Sequence, residues 1–359
     1  MHIDDVLDHV RHRVPMFQPD LSGLDLSGLD LTGLHVLEGN CSHATFSRAQ
    51  ITRAMFCQCD LTGARFEGAD LDETMFISCA LPQAGFSQRM LNGTFFVSCA
   101  MGHADFSASA LRNVQFVNTV LTGARFVKAA LDSVAMIDCD VSAIDFTDAS
   151  LRNFMSTKAD LRNAGLDNAR FDTVMLIDAD LSGRDLRSLS LPRTNLKGAR
   201  LAHADLSGVE LTQCLLIDAD LRNANLSSAR ASHALFAGAD LSGANLANAD
   251  LNMAIFQGAQ LTQADFSGAR LACAVLSRVE AKASRFDRTD LSYALFDYAQ
   301  LQGASLAAAR FKRTAFHAAA TEGTLTAGAS GQTLETDPLR AVSELYDPRR
   351  VARNSPGAM

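Results

Sequence analysis

The chain has 359 residues, 48% of them apolar, and a formal net charge of −8 at pH 7, enough for a large core and without the basic excess of a nucleic-acid-binding surface. No apolar run approaches the roughly 18–20 residues of a membrane span, and the opening "MHIDDVLDHVRHRV" lacks the basic-then-apolar order of a cleaved secretory signal. The eight cysteines form no CxxC pair and no Cys/His set at zinc spacing, so free thiols and a cytoplasmic setting are expected, with export by a route lacking a cleaved signal also compatible.

In chain order, the first element is a short helix, Asp4 to Arg13. Ile3, Val6, Leu7 and Val10 share one of its faces, and residues 1–20 read as an amino-terminal capping segment.

From Leu21 the spacing changes. A large apolar residue recurs every five residues to Phe316. Fifty-six of the sixty positions carry Leu, Phe, Ile, Val or Met, and the exceptions are Cys41, Ser156, Ala231 and Ala281. Eighteen of the 21 phenylalanines lie in this register, so Leu-rich composition does not explain it. A period of five fits neither a helical face nor the alternation of a strand. Two positions before each centre the residue is usually small, as at Ala64, Ala164 and Ala244. One before it is often Asp or Asn, as at Asp60, Asp240 and Asn245. After it come Ser, Thr or Arg and then Gly or Asn, which suit a corner. "FISCA" at Phe76 recurs as "FVSCA" at Phe96, and "MIDCD" at Met136 recurs as "LIDAD" at Leu176 and Leu216. Similarity at twenty and forty means that four quintets close one coil, each quintet making one side of a square.

The motif A-(D/N)-(L/F)-(S/T/R)-(G/N) resembles that of the pentapeptide repeat family, over residues 21–317. The resemblance implies an all-β solenoid, a right-handed quadrilateral β-helix. Here it would have about 15 coils, and at about 4.8 Å per coil a length of roughly 72 Å. One coil departs from the motif: in "LRNFMSTKAD" the large residue is Phe154 and the centre is Ser156. An exchange that holds core volume constant is expected, the alternative being a kink that re-aims Met155.

Beyond Phe316, "AAATEGTLTAGASGQT" reads as a flexible linker, residues 318–334. Residues 335–359 read as a short helix and a basic tail. Asp337 and Pro338 suit the helix start, and Leu339, Val342 and Tyr346 line one side, either as a cap or as a docking peptide.

Candidate chemistry is sparse. Cys59, Cys79, Cys99 and Cys139 should stack at the small inward site, interrupted by Thr119. Their spacing would permit a disulfide, but they read as core residues. His43, His103 and His203 share an outer column several coils apart, too far to ligate one metal. No nucleophile–base set or phosphate loop appears, so no catalytic site, metal or cofactor is expected.

The outer surface is more informative. On the face centred on Phe56, Phe76 and Phe96, the residues before the centres include Met55, Met75, Phe95, Met155, Met175, Leu215, Leu235, Ile255, Val275 and Leu295. The residues after them include Ile77, Val97, Val117, Ile137, Ile177 and Ile217. An apolar strip of that length exceeds what a monomer normally exposes and points to a protein partner or to a homodimer. Beside it Asp140, Asp160, Asp180, Asp220 and Asp240 form an acidic edge flanked by Asp138, Asp178 and Asp218. The expectation is a non-enzymatic scaffold or adaptor, of the kind that serves as a secretion-system accessory in similar bacterial proteins. The alternative implied by the resemblance is a DNA mimic that binds DNA gyrase or topoisomerase IV. DNA of this length would carry on the order of 42 charges, far more than the chain's net charge supplies.

Overall fold

The computed structural model describes residues 1–344. The chain begins with α1, Ile3–His12, one residue ahead of the expected start, and ends it at Arg13 in a left-handed conformation, φ 53°. Val6 is fully buried, Ile3, Leu7 and Val10 pack against the core, and the Met1 amino group donates to the Asp20 carbonyl at 3.4 Å. The helix therefore lies over the first coil.

From Met16 the chain winds as a parallel four-sided solenoid of about 16 turns, with each residue beside the one twenty positions on. The inward centres are buried in nearly every coil, and the alanines two positions ahead of them are buried too. Two neighbouring columns of phenylalanine fill the first half. Phe46, Phe66, Phe86, Phe106 and Phe126 stack at centroid distances of 4.7–5.3 Å. Phe56, Phe76, Phe96 and Phe116 stack at 5.0–5.3 Å beside them and meet the first column edge-on.

The period of five has a backbone cause. In nearly every quintet the second residue after the centre takes a positive φ, with Asn163 and Ser188 the exceptions. Gly243 does so at +68°, but so do Arg53, Met253 and Tyr293, at 58°, 60° and 61°. A non-glycine residue there costs roughly 1–2 kcal/mol. The compensation is a coil-to-coil hydrogen bond from the same residue, such as Arg53 N to Asp72 O at 2.9 Å and Tyr293 N to Lys312 O at 2.8 Å. The corner is thus set by the neighbouring coil, and glycine only eases it.

Most sides are closed by a tight turn in which the third residue after the centre donates back to it, as Ala244 N does to Leu241 O at 2.9 Å. The Asp or Asn before the centre then accepts the next free amide: Ser142 N donates to Asp140 Oδ1 and Ser242 N to Asp240 Oδ1, both at 3.0 Å. Two sides behave differently. The face centred on Phe56 and Phe76 opens into three-residue strands that form a nine-stranded parallel sheet from Met16–Phe17 to Met175–Ile177. The preceding face forms a five-stranded sheet from Met90–Asn92 to Arg170–Asp172.

Two details correct the sequence reading, and a third decides between its alternatives. Residues 318–334 are not a linker. They wind one further coil, with Ala320 O accepting from Leu301 N at 2.8 Å and Ser330–Leu334 pairing with Arg310–Ala315. The core-filling side chains stop at Phe316, but the preceding coil still offers a full row of backbone partners. The register slips by one there, between Lys312 and Thr314. The solenoid consequently extends from Met16 to Leu334 rather than over 21–317. The Phe154 and Ser156 exchange holds volume without a kink: both are buried, and Met155 stays in register between Ala135 and Met175. A closed void of about 10 Å³ beside them is the size of a single water site.

Candidate functional site

The winding brings the predicted apolar residues into one continuous outward ladder. Met55 pairs with Met75, Met75 with Phe95, and Met155 with Met175. Leu215, Leu235, Ile255, Val275 and Leu295 follow as successive bridges, with Gln115, Ala135 and Asn195 as the breaks. Neighbours above and below shade each side chain, so most are half-buried, while Met175 and Leu295 keep 38% and 39% of their surface. Within the nine-stranded sheet the residue after each centre also points outward. Ile77, Val97, Val117 and Ile137 form a second column beside the first, and Phe17 begins it, 65% exposed. Beyond Ile177 this column turns polar or small at Lys197, Gln257 and Asp297, with Ile217 the exception. The apolar face is therefore two columns wide in the first half and one column wide in the second.

The acidic edge exists as a column, but arginines are threaded through it. Arg162 binds Asp160 at 2.7 Å and lies 3.6 Å from Asp180, and Arg200 approaches Asp180 at 3.5 Å. Arg222 binds Asp220 at 2.7 Å and lies 3.8 Å from Asp240. Hydrogen bonds from Arg162 and Arg222 hold Asp160 and Asp220 below the usual carboxylate range, and the Ser142 hydroxyl does the same for Asp140. Asp138, Asp178 and Asp218 sit at left-handed corners, φ 51°, 56° and 56°. Three arginines thus offset part of the charge of the eight carboxylates along the edge.

The cysteine column is a hydrogen-bonded ladder. Cys79 Sγ donates to Phe56 O at 3.2 Å, Cys99 Sγ to Phe76 O at 3.3 Å and Cys139 Sγ to Phe116 O at 3.3 Å. Thr119 interrupts the sulfur but not the pattern, since its hydroxyl donates to Phe96 O at 3.1 Å. Burial pushes the Cys139 thiol up to about 11 and the Cys214 thiol up to about 12. Among the described residues no His, Cys, Asp or Glu cluster could hold a metal ion, and no helix is long and apolar enough to cross a membrane.

A cluster that the five-residue pattern does not reveal lies at the carboxy-terminal end. α2, Pro338–Glu344, is clasped against the rod by polar contacts. Arg340 binds Asp297 at 2.8 Å, the His317 ring meets Glu344 at 3.0 Å, and Tyr298 donates its hydroxyl to Glu344. The Tyr298 hydroxyl first and the His317 ring second hold the Glu344 carboxyl at about 2. Leu339 and Val342 point away from the rod, 83% and 70% exposed, and Tyr346 lies outside the described residues. Nothing in the sequence flags this clasp, because Tyr298 and His317 occupy ordinary outward positions of their quintets. Beside it the last coil leaves an open hollow of about 540 Å³ floored by Leu306, Phe311 and Phe316.

Two family descriptions match the sequence. One, pentapeptide repeat region, covers residues 209–286. The other, pentapeptide repeats, covers 25–63, 40–76, 49–88, 99–136, 157–188, 179–216 and 284–319. Together they span more than half of the chain. No curated protein sequence matches it. Among solved structures, a trypsin-treated variant of QnrB1, a plasmid-mediated fluoroquinolone resistance protein, is 22% identical, with a TM-score of 0.36, covering 52% of this chain and 91% of that one. HetL, a pentapeptide repeat protein involved in heterocyst differentiation regulation in Nostoc sp. strain PCC 7120, is 24% identical with a TM-score of 0.19, covering 79% and 96%. Rfr23 from Cyanothece 51142 is 19% identical with a TM-score of 0.16, covering 51% and 90%. On the extent of the repeat matches and the four-sided winding, the chain belongs to the pentapeptide repeat family.

Proposed function

We propose that the protein is a non-enzymatic rigid scaffold that binds a protein partner through its apolar face, in a role such as that of a secretion-system accessory. One observation carries the reading: the outward ladder from Met55 to Leu295 is apolar at most of its steps and half-exposed. At about 4.8 Å per coil it is roughly 58 Å long, and monomers rarely leave an apolar strip of that size uncovered. Leu339 and Val342 on the clasped helix add a second, smaller apolar point. The gyrase or topoisomerase IV mimic is the weaker reading, because the net charge of −8 is far below that of DNA of this length and Arg162, Arg200 and Arg222 offset part of the edge that would imitate phosphates.

The test is a triple substitution, Met55→Asp, Phe95→Asp and Leu215→Asp, compared with the unaltered chain by affinity capture and thermal melting. Loss of a captured protein with an unchanged melting temperature supports the scaffold reading. Retention of the same partners sinks it. A DNA supercoiling assay with purified gyrase checks the other reading, and inhibition or drug protection at micromolar protein would restore it.

A further inference from the structure

We propose that the first half of the apolar face packs against the same region of a second copy, making a side-by-side dimer of rods. The proposal rests on the reading of this face as a contact surface and names the occupant of one half of it.

Width is the first argument. From Met55 to Ile177 both outward columns of the nine-stranded sheet lack any Asp, Glu, Lys or Arg. The second half has one apolar column, beside Lys197 and Asp297, and its last coils are occupied by α2 through Asp297 and Tyr298. Only the first half is a wide uncharged surface.

Shape is the second. The stacked rings Phe56, Phe76, Phe96 and Phe116 differ in plane by only 7°, 4° and 6° from coil to coil. Neighbouring strands of an ordinary open sheet differ by about 20–25°. A twisted sheet from another fold would touch this face over two or three strands and then diverge. A second copy has the same flatness and the same step of about 4.8 Å, so its side chains can interleave along the whole sheet.

Area is the third. Nine strands span about 38 Å, and a face about 10 Å wide gives roughly 400 Å² of apolar strip per copy. That is about half of the ~800 Å² that each partner contributes to a standard interface, so the pairing is expected to be weak, in the micromolar range. The uncharged columns place no like charges opposite one another in a self-complementary pairing. The second half, with Leu295 and α2, stays free for an unlike partner.

Sedimentation equilibrium of the full chain at tens of micromolar tests this. The expected result is a dimer. Val97→Lys with Val117→Lys should give a monomer with an unchanged melting temperature, while Leu295→Lys leaves the dimer intact. If the lysine pair lowers the melting temperature, Val97→Thr with Val117→Thr replaces it, with dimer affinity weakened at least tenfold as the expected readout. A monomeric unaltered chain overturns the proposal, as does a dimer that ignores both pairs of substitutions or is lost with Leu295→Lys. A monomeric chain that still loses its partner through the Met55, Phe95 and Leu215 triple variant removes the dimer and leaves the scaffold reading standing. A dimer sensitive to the valine pairs, with partner capture unaffected by the triple variant, does the reverse.

Discussion

The two halves of the rod use one period and one set of inward positions, yet they close their sides differently. On the face centred on Phe56, Phe76, Phe96, Phe116 and Met136, the small inward site holds Cys59, Cys79, Cys99, Thr119 and Cys139. Each donates to the carbonyl of the preceding coil's centre, and the sides are open strands. Further on, the same column holds Ala179, Ala199, Ala219, Ala239 and Ala259, and the tight turn appears, with Ala199 N donating to Leu196 O at 3.1 Å and Ala259 N to Phe256 O at 2.8 Å. A side-chain donor is not required for an open side, however: the preceding face is open beside Val114, Val134, Phe154 and Val174, which donate nothing, while Thr74 donates to Ile51 O and its side still closes through Thr74 N on Leu71 O at 3.1 Å. Ala159 is the transitional case: the side stays open there, in the coil where Phe154 and Ser156 have changed places. The change from Cys and Thr to Ala in this one inward column thus runs alongside the change from a flat, two-column face to a narrow one, which is what separates the proposed dimer surface from the rest.

The largest effect should come from the unbroken double phenylalanine column of the first half, which the second half has only in part, from Phe236 onward. Phe96 stacks on Phe76 and Phe116 and meets Phe86 and Phe106 edge-on, so Phe96→Ala should cost about 3–5 kcal/mol. Leu216→Ala, in a coil whose four inward centres are all leucine, should fall near the lower end of about 2–5 kcal/mol. Chemical denaturation of both variants measures the difference, and equal losses would mean that the double Phe column adds nothing beyond buried volume.

A smaller effect is expected at the junction. Ser156→Phe alone should overpack the coil and cost about 1–3 kcal/mol, because Phe154 already fills the space. Adding Phe154→Ala restores the regular motif and should recover most of that loss. Failure to recover it, read from the same melts, would show that the exchange fits this coil for some reason other than volume.

The smallest effect concerns the tight turns, which the open face lacks. Asp140→Ala removes the acceptor for Ser142 N and should cost about 1 kcal/mol, by analogy with a helix cap. The Asp140 carboxyl lies below its ordinary value in the folded chain, mainly through the Ser142 hydroxyl, so its contribution is complete above the unfolded value near pH 4 and disappears as pH falls through the folded value. The same direction holds for Asp60 and Asp220, and Asp185 sits at about 2 beside Arg187. Stability should therefore fall between about pH 4 and pH 2, and Asp140→Asn, which keeps an acceptor but not the charge, should shrink that loss. A pH series of denaturation curves checks it, and an unchanged slope in the Asn variant would remove Asp140 from the account.

The legible part of the molecule was the part governed by repetition. Leu241, Leu246 and Leu251 exclude a helix and an ordinary strand, and the recurrence of "FISCA" after twenty residues sets four sides per coil. Those two numbers place Met55, Phe95 and Leu215 in one outward column without coordinates. The tertiary structure decided what repetition cannot reach. Residues 318–334 look like a linker because their side chains are small, yet the coil before them supplies the hydrogen-bond partners that wind them. The arginines that quiet the acidic edge act across coils, from Arg162 to Asp180 and from Arg222 to Asp240. The clasp of Arg340 and Glu344 on Asp297, Tyr298 and His317 joins positions more than twenty residues apart that share no period. A repeating sequence fixes the direction in which each side chain points, because that depends only on its own quintet. Which neighbour it meets depends on the coil beside it, and that contact exists only once the chain has wound.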